Sequence, residues 1–288
     1  MRNSTTFLCL AAAAASACTF FDAHAGSISL NFDAAGGTVL DSAGVGSGFT
    51  ARLPGTSGPA NDPLLRLDAA NSELELTTSQ SDFNGGSGLT AISAPGVKLS
   101  SLGYTGAEDF VVRAVFKPII NLEPIDQIGV YIGMDASTLT RAGVIRFDSP
   151  EYLAVHTTAS VDNNGRFFGF GLVVSDGLEV IIRRTAGDWE YFIDGVYWHP
   201  NTVNNGSGFE SDPDGSVGSP NLNAASDLYV GVFAITVFNA NAKTALVDSF
   251  EVTVVPEPAS LLLAGSIAAM ATRWRRRSGD DRRRSAAG

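Results

Sequence analysis

The chain has little cysteine, little histidine and no long apolar run in its centre. Its 288 residues include two cysteines and three histidines. Cys9 and Cys18 both lie in the first 18 residues, so everything downstream lacks a thiol. That excludes disulfides, thiol catalysis and cysteine metal sites from the body. A body of this length can bury enough apolar surface to fold without a crosslink. His24, His156 and His199 are too few and too scattered for a Ser-His-Asp reading, and no Gly-x-Ser-x-Gly turn leads into a helix. Basic charge is also scarce where it would matter. Between residues 26 and 254 there are 11 Lys and Arg against 26 Asp and Glu, a net charge of −15. A surface of that sign offers no footing for nucleic acid. It suits a solvated extracellular domain.

The two ends depart from this body. Arg2 precedes the apolar stretch Phe7 to Ala17, and Ala23-His24-Ala25 places small residues where a signal peptidase reads. Residues 1–25 are therefore expected to be a helical signal peptide, with a mature start at Gly26. The alternative is a lipoprotein cut before Cys18. It would want a large aliphatic residue three positions earlier, where Ala15 stands.

At the other end, Val255-Pro256-Glu257-Pro258 cannot continue a strand or enter a helix cleanly. An apolar run, Leu261 to Thr272, follows without a charge and is expected to be helical. Its 12 residues fall short of the roughly 20 that a stable span needs. Arg273, Arg275, Arg276 and Arg277 then close it, and such a cluster stays on the cytoplasmic side. Residues 278–288 form a charged extension.

Between the ends the signal is strand. Phe110, Val112, Ala114 and Phe116 alternate, as do Ile128, Val130, Ile132 and Met134. Similar patterns occupy Ser27 to Phe32, Glu73 to Ser79, Gly143 to Phe147, Tyr152 to Thr157, Phe167 to Val174, Leu178 to Arg184, Trp189 to Ile193, Leu228 to Val237 and Leu246 to Val255. Period-two alternation broken by Gly, Asn, Ser and Asp turns predicts an all-β sandwich or barrel. Asp176-Gly177 and Asp194-Gly195 each sit between apolar runs, and each predicts a two-residue hairpin.

Two resemblances follow from these residues. The order Pro256-Glu257-Pro258, short apolar helix, arginine cluster resembles the PEP-CTERM sorting signal of Gram-negative bacteria, over residues 255–277. The resemblance implies recognition by an exosortase after signal peptidase has acted. It also implies transient membrane contact through residues 261–274, and delivery to the outer surface or extracellular matrix. The body, residues 26–254, is similar to the concanavalin A-like, laminin-G-like jelly roll, a two-sheet sandwich. The similarity is carried by Asp126 to Gly133, Leu178 to Arg184, Trp189 to Gly195, Tyr229 to Phe233 and Val247 to Val252. It implies that the closing strand Val247 to Val252 lies beside the first strand, Ile28 to Phe32.

Candidate chemistry is thin. Glycoside hydrolysis needs two facing carboxylates. The Glu-x-Asp-x-x-Glu pattern of this fold's hydrolases is absent. Glu73 with Glu75, and Asp188 with Glu190, share a face by spacing but read as half-exposed strand and hairpin surface. The body is expected not to be an enzyme, with a polysaccharide hydrolase or lyase as one alternative. Tyr197, Trp198, His199 and Asn201 follow the Asp194-Gly195 turn and lead into a loop, His199 to Asp227. Aromatics and amides in that arrangement are candidate glycan contacts. Glu210, Asp212 and Asp214 before Gly215 resemble the head of a calcium loop, but Asn221 stands where the closing acid belongs. Ca²⁺ is the sole candidate cofactor. The expectation is an exported, lectin-like surface or matrix protein that contacts extracellular polysaccharide. A structural matrix or adhesion protein without sugar binding is the other alternative.

Overall fold

Alternation becomes burial along one central strand. Phe110, Val112, Ala114 and Phe116 are all fully buried, while Val111, Arg113 and Val115 between them are half-buried. The computed structural model describes residues 26–56, 60–80, 94–106, 108–119, 122, 126–136, 138–148, 151–159, 165–168, 174, 176–185, 188–198, 202–204, 209–211, 222, 227–236 and 243–255. All fall within one compact unit, Gly26–Val255. The expected signal peptide, apolar helix and arginine cluster lie outside the described residues. Among the described residues no helix is long and apolar enough to cross a membrane.

In chain order the strands are β1 (Ser27–Leu30), β2 (Ala51–Arg52), β3 (Leu65–Asp68), β4 (Glu73–Thr77), β5 (Ser79–Gln80), β6 (Pro95–Lys98), β7 (Asp109–Phe116), β8 (Gln127–Asp135), β9 (Thr138–Asp148), β10 (Glu151–Ala159), β11 (Gly165–Phe168), β12 (Leu178–Thr185), β13 (Asp188–Ile193), β14 (Val196–Trp198), β15 (Thr202–Asn204), β16 (Phe209–Ser211), β17 (Tyr229–Thr236) and β18 (Thr244–Val255). They form two large sheets, and the fold is a two-sheet jelly-roll sandwich. The first sheet runs β14-β13-β12-β7-β18-β4-β3, with β1 also on β18. The second runs β11-β10-β9-β8-β17-β6-β2, with β5 added in parallel to β17. The remaining pairs within both sheets are antiparallel among the described strands. The core lies between them, where Val112, Val180 and Val252 of the first sheet share one apolar cluster with Ile128, Val144 and Val232 of the second.

The chain closes as the jelly-roll resemblance implies. β1 lies antiparallel to β18, with Ile28 opposite Val252 and Leu30 opposite Phe250. β18 carries a bulge between Val247 and Ser249. Ala245 and Val247 are buried before it, and Phe250, Val252 and Val254 after it. The extra residue at the bulge shifts the inward parity from odd to even positions, as one inserted residue must.

Two Asp-Gly expectations part company. At Asp194-Gly195 the φ angles are +50° and +71°, and β13 turns directly into β14. Two left-handed residues in a two-residue loop match the twist of an antiparallel pair. Asp176-Gly177 makes no such hairpin. Val174 accepts from Ile119 N–H, and Leu178 pairs with Phe116. Both sides of that turn therefore run along the same neighbouring segment, and Gly177 at φ +109° bends one continuing line. The expected loop from His199 to Asp227 also contains a short hairpin, β15 paired with β16.

Loops close the free edge of the first sheet. Asp41 is 2% exposed, and its Oδ1 accepts from the N–H groups of Ala43 (2.9 Å) and Val45 (2.8 Å). Its Oδ2 accepts from Leu67 N–H on β3 at 3.0 Å, and Ser42 N–H donates to Leu65. The outer backbone groups of β3 are thereby used internally, which blunts an edge that could otherwise recruit another strand. Replacing Asp41 by Ala leaves three N–H groups without their acceptor and is expected to cost about 3 kcal/mol, read as a lower urea midpoint at unchanged slope. An unchanged midpoint would remove Asp41 from this role.

Candidate functional site

Two of the expected glycan contacts, positions 197 and 198, lie on β14 at the far edge of the first sheet. The hairpin that carries them is fastened to β12 at its turn. Asp194 N–H donates to Glu179 O, and Glu179 N–H donates to Asp194 Oδ1, each at 2.9 Å. On β14, position 197 pairs with Phe192 and position 198 with Tyr191. Tyr191 is buried in the core and Phe192 is half-buried. Directly opposed residues share a face, so position 198 falls on the core side and position 197 on the outer side. His199 and Asn201 lie outside the described residues. So do Asp212 and Asp214, while Glu210 lies on β16 opposite Val203. The position expected to open a calcium loop is thus extended strand.

Around Phe192 the outer face is charged and paired. Arg183 Nε lies 2.5 Å from Glu190 Oε2, with its guanidinium 5.2 Å from the Phe192 ring centre. Arg113 Nε lies 2.6 Å from Glu179 and its Nη1 3.7 Å from Glu251. These groups are a quarter to a half exposed, so the pairs set surface geometry more than stability.

A second group was only half legible in sequence. β3 and β4 set Asp68 opposite Glu73 and Arg66 opposite Glu75. Asp68, Glu73 and Glu75 bring carboxylate oxygens within 4.8 Å of one another. The spacing Glu73, Glu75 is visible along the chain; Asp68 joins through the pairing. Leu65-Arg66-Leu67-Asp68 does carry a matching alternation that could have signalled it. Three oxygens could contribute to a hard-cation site, but calcium takes six to eight ligands. The chain's own cations already serve the group. Lys117 Nζ lies 2.7 Å from Glu73 and 3.0 Å from Asn71 O, and Arg66 Nη1 lies 3.1 Å from Glu75. Glycosidic cleavage would need one of these carboxyls as a general acid with a raised pKa. The Asn71 side chain donates to Asp68 and holds its carboxyl below the ordinary value, the opposite direction.

The third arrangement lies on the outer face of the second sheet, opposite the inward positions of β8. It is not solvated. Leu53, Ala94, Tyr131, Leu139, Phe233 and Ile235 form a second apolar cluster there, with Tyr229 against it. Tyr131 donates from its hydroxyl to Ala94 O at 2.8 Å. Arg141, 3% exposed, lies with its guanidinium 5.7 Å from the Phe233 ring centre. Gln127 is 5% exposed, and its Oε1 has no hydrogen-bond partner among the described residues. Glycines let the strands approach under this layer. A Cβ at Gly231 would stand 2.0 Å from Pro95 O, and one at Gly96 would stand 2.2 Å from Val230 O. An aromatic, a guanidinium and an amide on one face are groups that can hold a polyol; here they are packed.

No family model and no curated protein matches the chain. Solved structures do align with it. A β-glucanase of Bacillus licheniformis gives a TM-score of 0.43 at 10% identity, over 79% of this chain and 98% of the other. The GH43 protein BlXynB of the same organism gives 0.41 at 11%, over 65% of this chain and 33% of its own. A functionally unknown protein of Saccharomyces cerevisiae gives 0.41 at 11%, over 70% and 91%. The chain thus spans about a third of the length of the GH43 protein. At these identities the likeness is one of fold. One expectation is corrected by it: the chain was read as not an enzyme, whereas structures sharing its sandwich are named as a β-glucanase and a GH43 protein, and that exclusion is not retained.

Proposed function

We propose that the chain is an exported, glycan-contacting β-sandwich, sorted by its C-terminal tail to the outer surface or extracellular matrix. What supports this reading is where the sandwich stops. The compact unit runs Gly26–Val255. Gly26 is the residue at which a signal-peptidase cut would begin the mature chain. Val254 is still core, and Pro256-Glu257-Pro258 begins two residues later. The described strands of the body thus end at Val255, where the expected address begins. Glycan contact is assigned to the outer side of the β12–β14 hairpin. Position 197 shares that side with Phe192 and Arg183, and an aromatic beside paired charges can stack on one sugar face while its neighbours hydrogen-bond the hydroxyls.

Two measurements test this. In an exosortase-bearing host, deleting residues 256–288 is expected to move the protein from the envelope fraction to the medium. An unchanged distribution would return the tail to a passive role. On a polysaccharide array, Tyr197→Ala in the full chain is expected to weaken binding about tenfold, the scale of one stacking contact. Absence of any bound polymer with the unaltered protein would sink the glycan assignment. Reducing-end release, read in the same wells, reports whether contact extends to cleavage.

A further inference from the structure

We infer that the sandwich cannot complete its fold until its last strand has been delivered, which keeps the chain unfolded for the whole of its passage through an export channel. The folding content stands on topology; its consequence for export rests on the function proposed above. Among the described strands β18 is last in sequence but interior in space. Along one side it pairs with β7, and along the other with β4 and β1. It places Ala245, Val247, Phe250, Val252 and Val254 in the core. Without it the first sheet parts into β14-β13-β12-β7 and β4-β3, and β1 is left without its neighbour.

Strands made earlier cannot replace it. β7 would lose the neighbour along one edge, and β4-β3 would be left as a two-stranded pair, which is marginal alone. Closing the sheet also joins the first strand to the last, so the longest loop in the chain is ordered only at the end. The N- and C-terminal ends of the body then meet: Val254 N–H donates to Gly26 O at 2.9 Å. A leader that feeds a channel needs a cargo that does not collapse into its final form on the near side. An interior terminal strand supplies that delay without any extra segment.

The same adjacency provides the test, because β18 can be moved to the front. Four chains are compared: the full chain, the full chain ending at Val255, the chain ending at Lys243, and a permuted chain. In the last, residues 244–255 precede Gly26 through an Asn-Gly turn. The first two are expected to unfold cooperatively and alike. The chain ending at Lys243 is expected to show no cooperative transition and a protease half-life shorter by on the order of 100-fold. A synthetic peptide of residues 244–255 added in trans is expected to restore resistance. The permuted chain should fold in vitro and, in an exporting cell, accumulate with its leader uncleaved. A cooperative transition in the chain ending at Lys243, or failure of the peptide to restore resistance, overturns the inference. Normal leader cleavage of a permuted chain that folds well in vitro overturns the export consequence. If even the unpermuted chain is not exported, the proposed function fails while the folding result stands.

Discussion

Above about pH 10 the sandwich is expected to lose stability steeply, with its buried tyrosines ionising only as the fold gives way. Tyr131 is wholly buried and Tyr191 nearly so, and burial raises both phenols because a phenolate there has no water to solvate it. Tyr131 is further committed as a donor to Ala94 O, a role that requires its proton. Tyr191 lies 3.5 Å from Thr140 Oγ1, which offsets the rise only in part. Tyr104 is shifted in the same direction, again chiefly by burial.

The sign follows from proton counting. The unfolded chain releases each phenolic proton near the ordinary value while the folded chain keeps it. The native state therefore binds more protons at alkaline pH, and stability falls as pH rises. The contribution is fully present below about pH 10 and is lost progressively above it, by about 1.4 kcal/mol per pH unit for each phenol. Two such groups make the decline about 3 kcal/mol per unit, a large share of a typical domain's stability. Calorimetry from pH 8 to 11, with phenolate absorbance followed in parallel, checks it. The two signals should move together. Tyr131→Phe with Tyr191→Phe should lower stability at neutral pH, since Ala94 O loses one of its two donors, Leu53 N–H remaining, yet flatten the alkaline slope. A slope unaltered by the pair would show that other groups drive the transition.

Phe250→Ala is expected to cost about 3–5 kcal/mol, the range for deleting a buried ring. Phe250 sits on β18 opposite Leu30 and beside Ala114. Its ring meets Phe49 edge-on, centroids 5.0 Å apart at 61°, and Phe49 in turn lies 6.0 Å from Phe32. These three rings tie the loop after β1 to the strand that closes the sheet. Phe32 is itself held at φ +57°, a conformation costly for a bulky residue and tolerated where packing imposes it. Removing Phe250 opens a cavity under that loop and loosens β1. For a domain of this size the loss should lower the melting temperature by roughly 10 °C. A double-mutant cycle with Phe49→Ala should show coupling of about 1 kcal/mol. Strictly additive losses would mean that the two rings merely share a neighbourhood.

What could be read along the chain was largely which side of each strand faces inward. Phe110 to Phe116 and the inner positions of β8 follow from local alternation, whereas the pairing of Ile28 with Val252 is implied only by the resemblance to the jelly roll. β6 did not, because Pro95 and Gly96 argue against a strand; Gly96 is there so that β6 can approach Val230. Asp176-Gly177 carries the same local chemistry as Asp194-Gly195 and yet makes no hairpin. The difference lies in which segment runs alongside, and no dipeptide encodes that. The outer face of the second sheet was not legible either: the alternation marks only the inner positions of β8, and the layer of Leu53, Ala94, Tyr131 and Phe233 reveals a second core.

The sequence by itself determined the strand-rich class, the inward faces and a thiol-free acidic body. Periodicity, composition and charge are local properties and survive without a fold. The tertiary structure alone decided which strands became neighbours, and with that everything that depends on two distant segments meeting. Asp68 beside Glu73 and Glu75, with Lys117 holding the group together, is one such result. Two buried faces on β8 are another. The last is the place of β18 at the centre of its sheet, since pairing is set by the sum of long-range contacts and no strand carries the name of its partner.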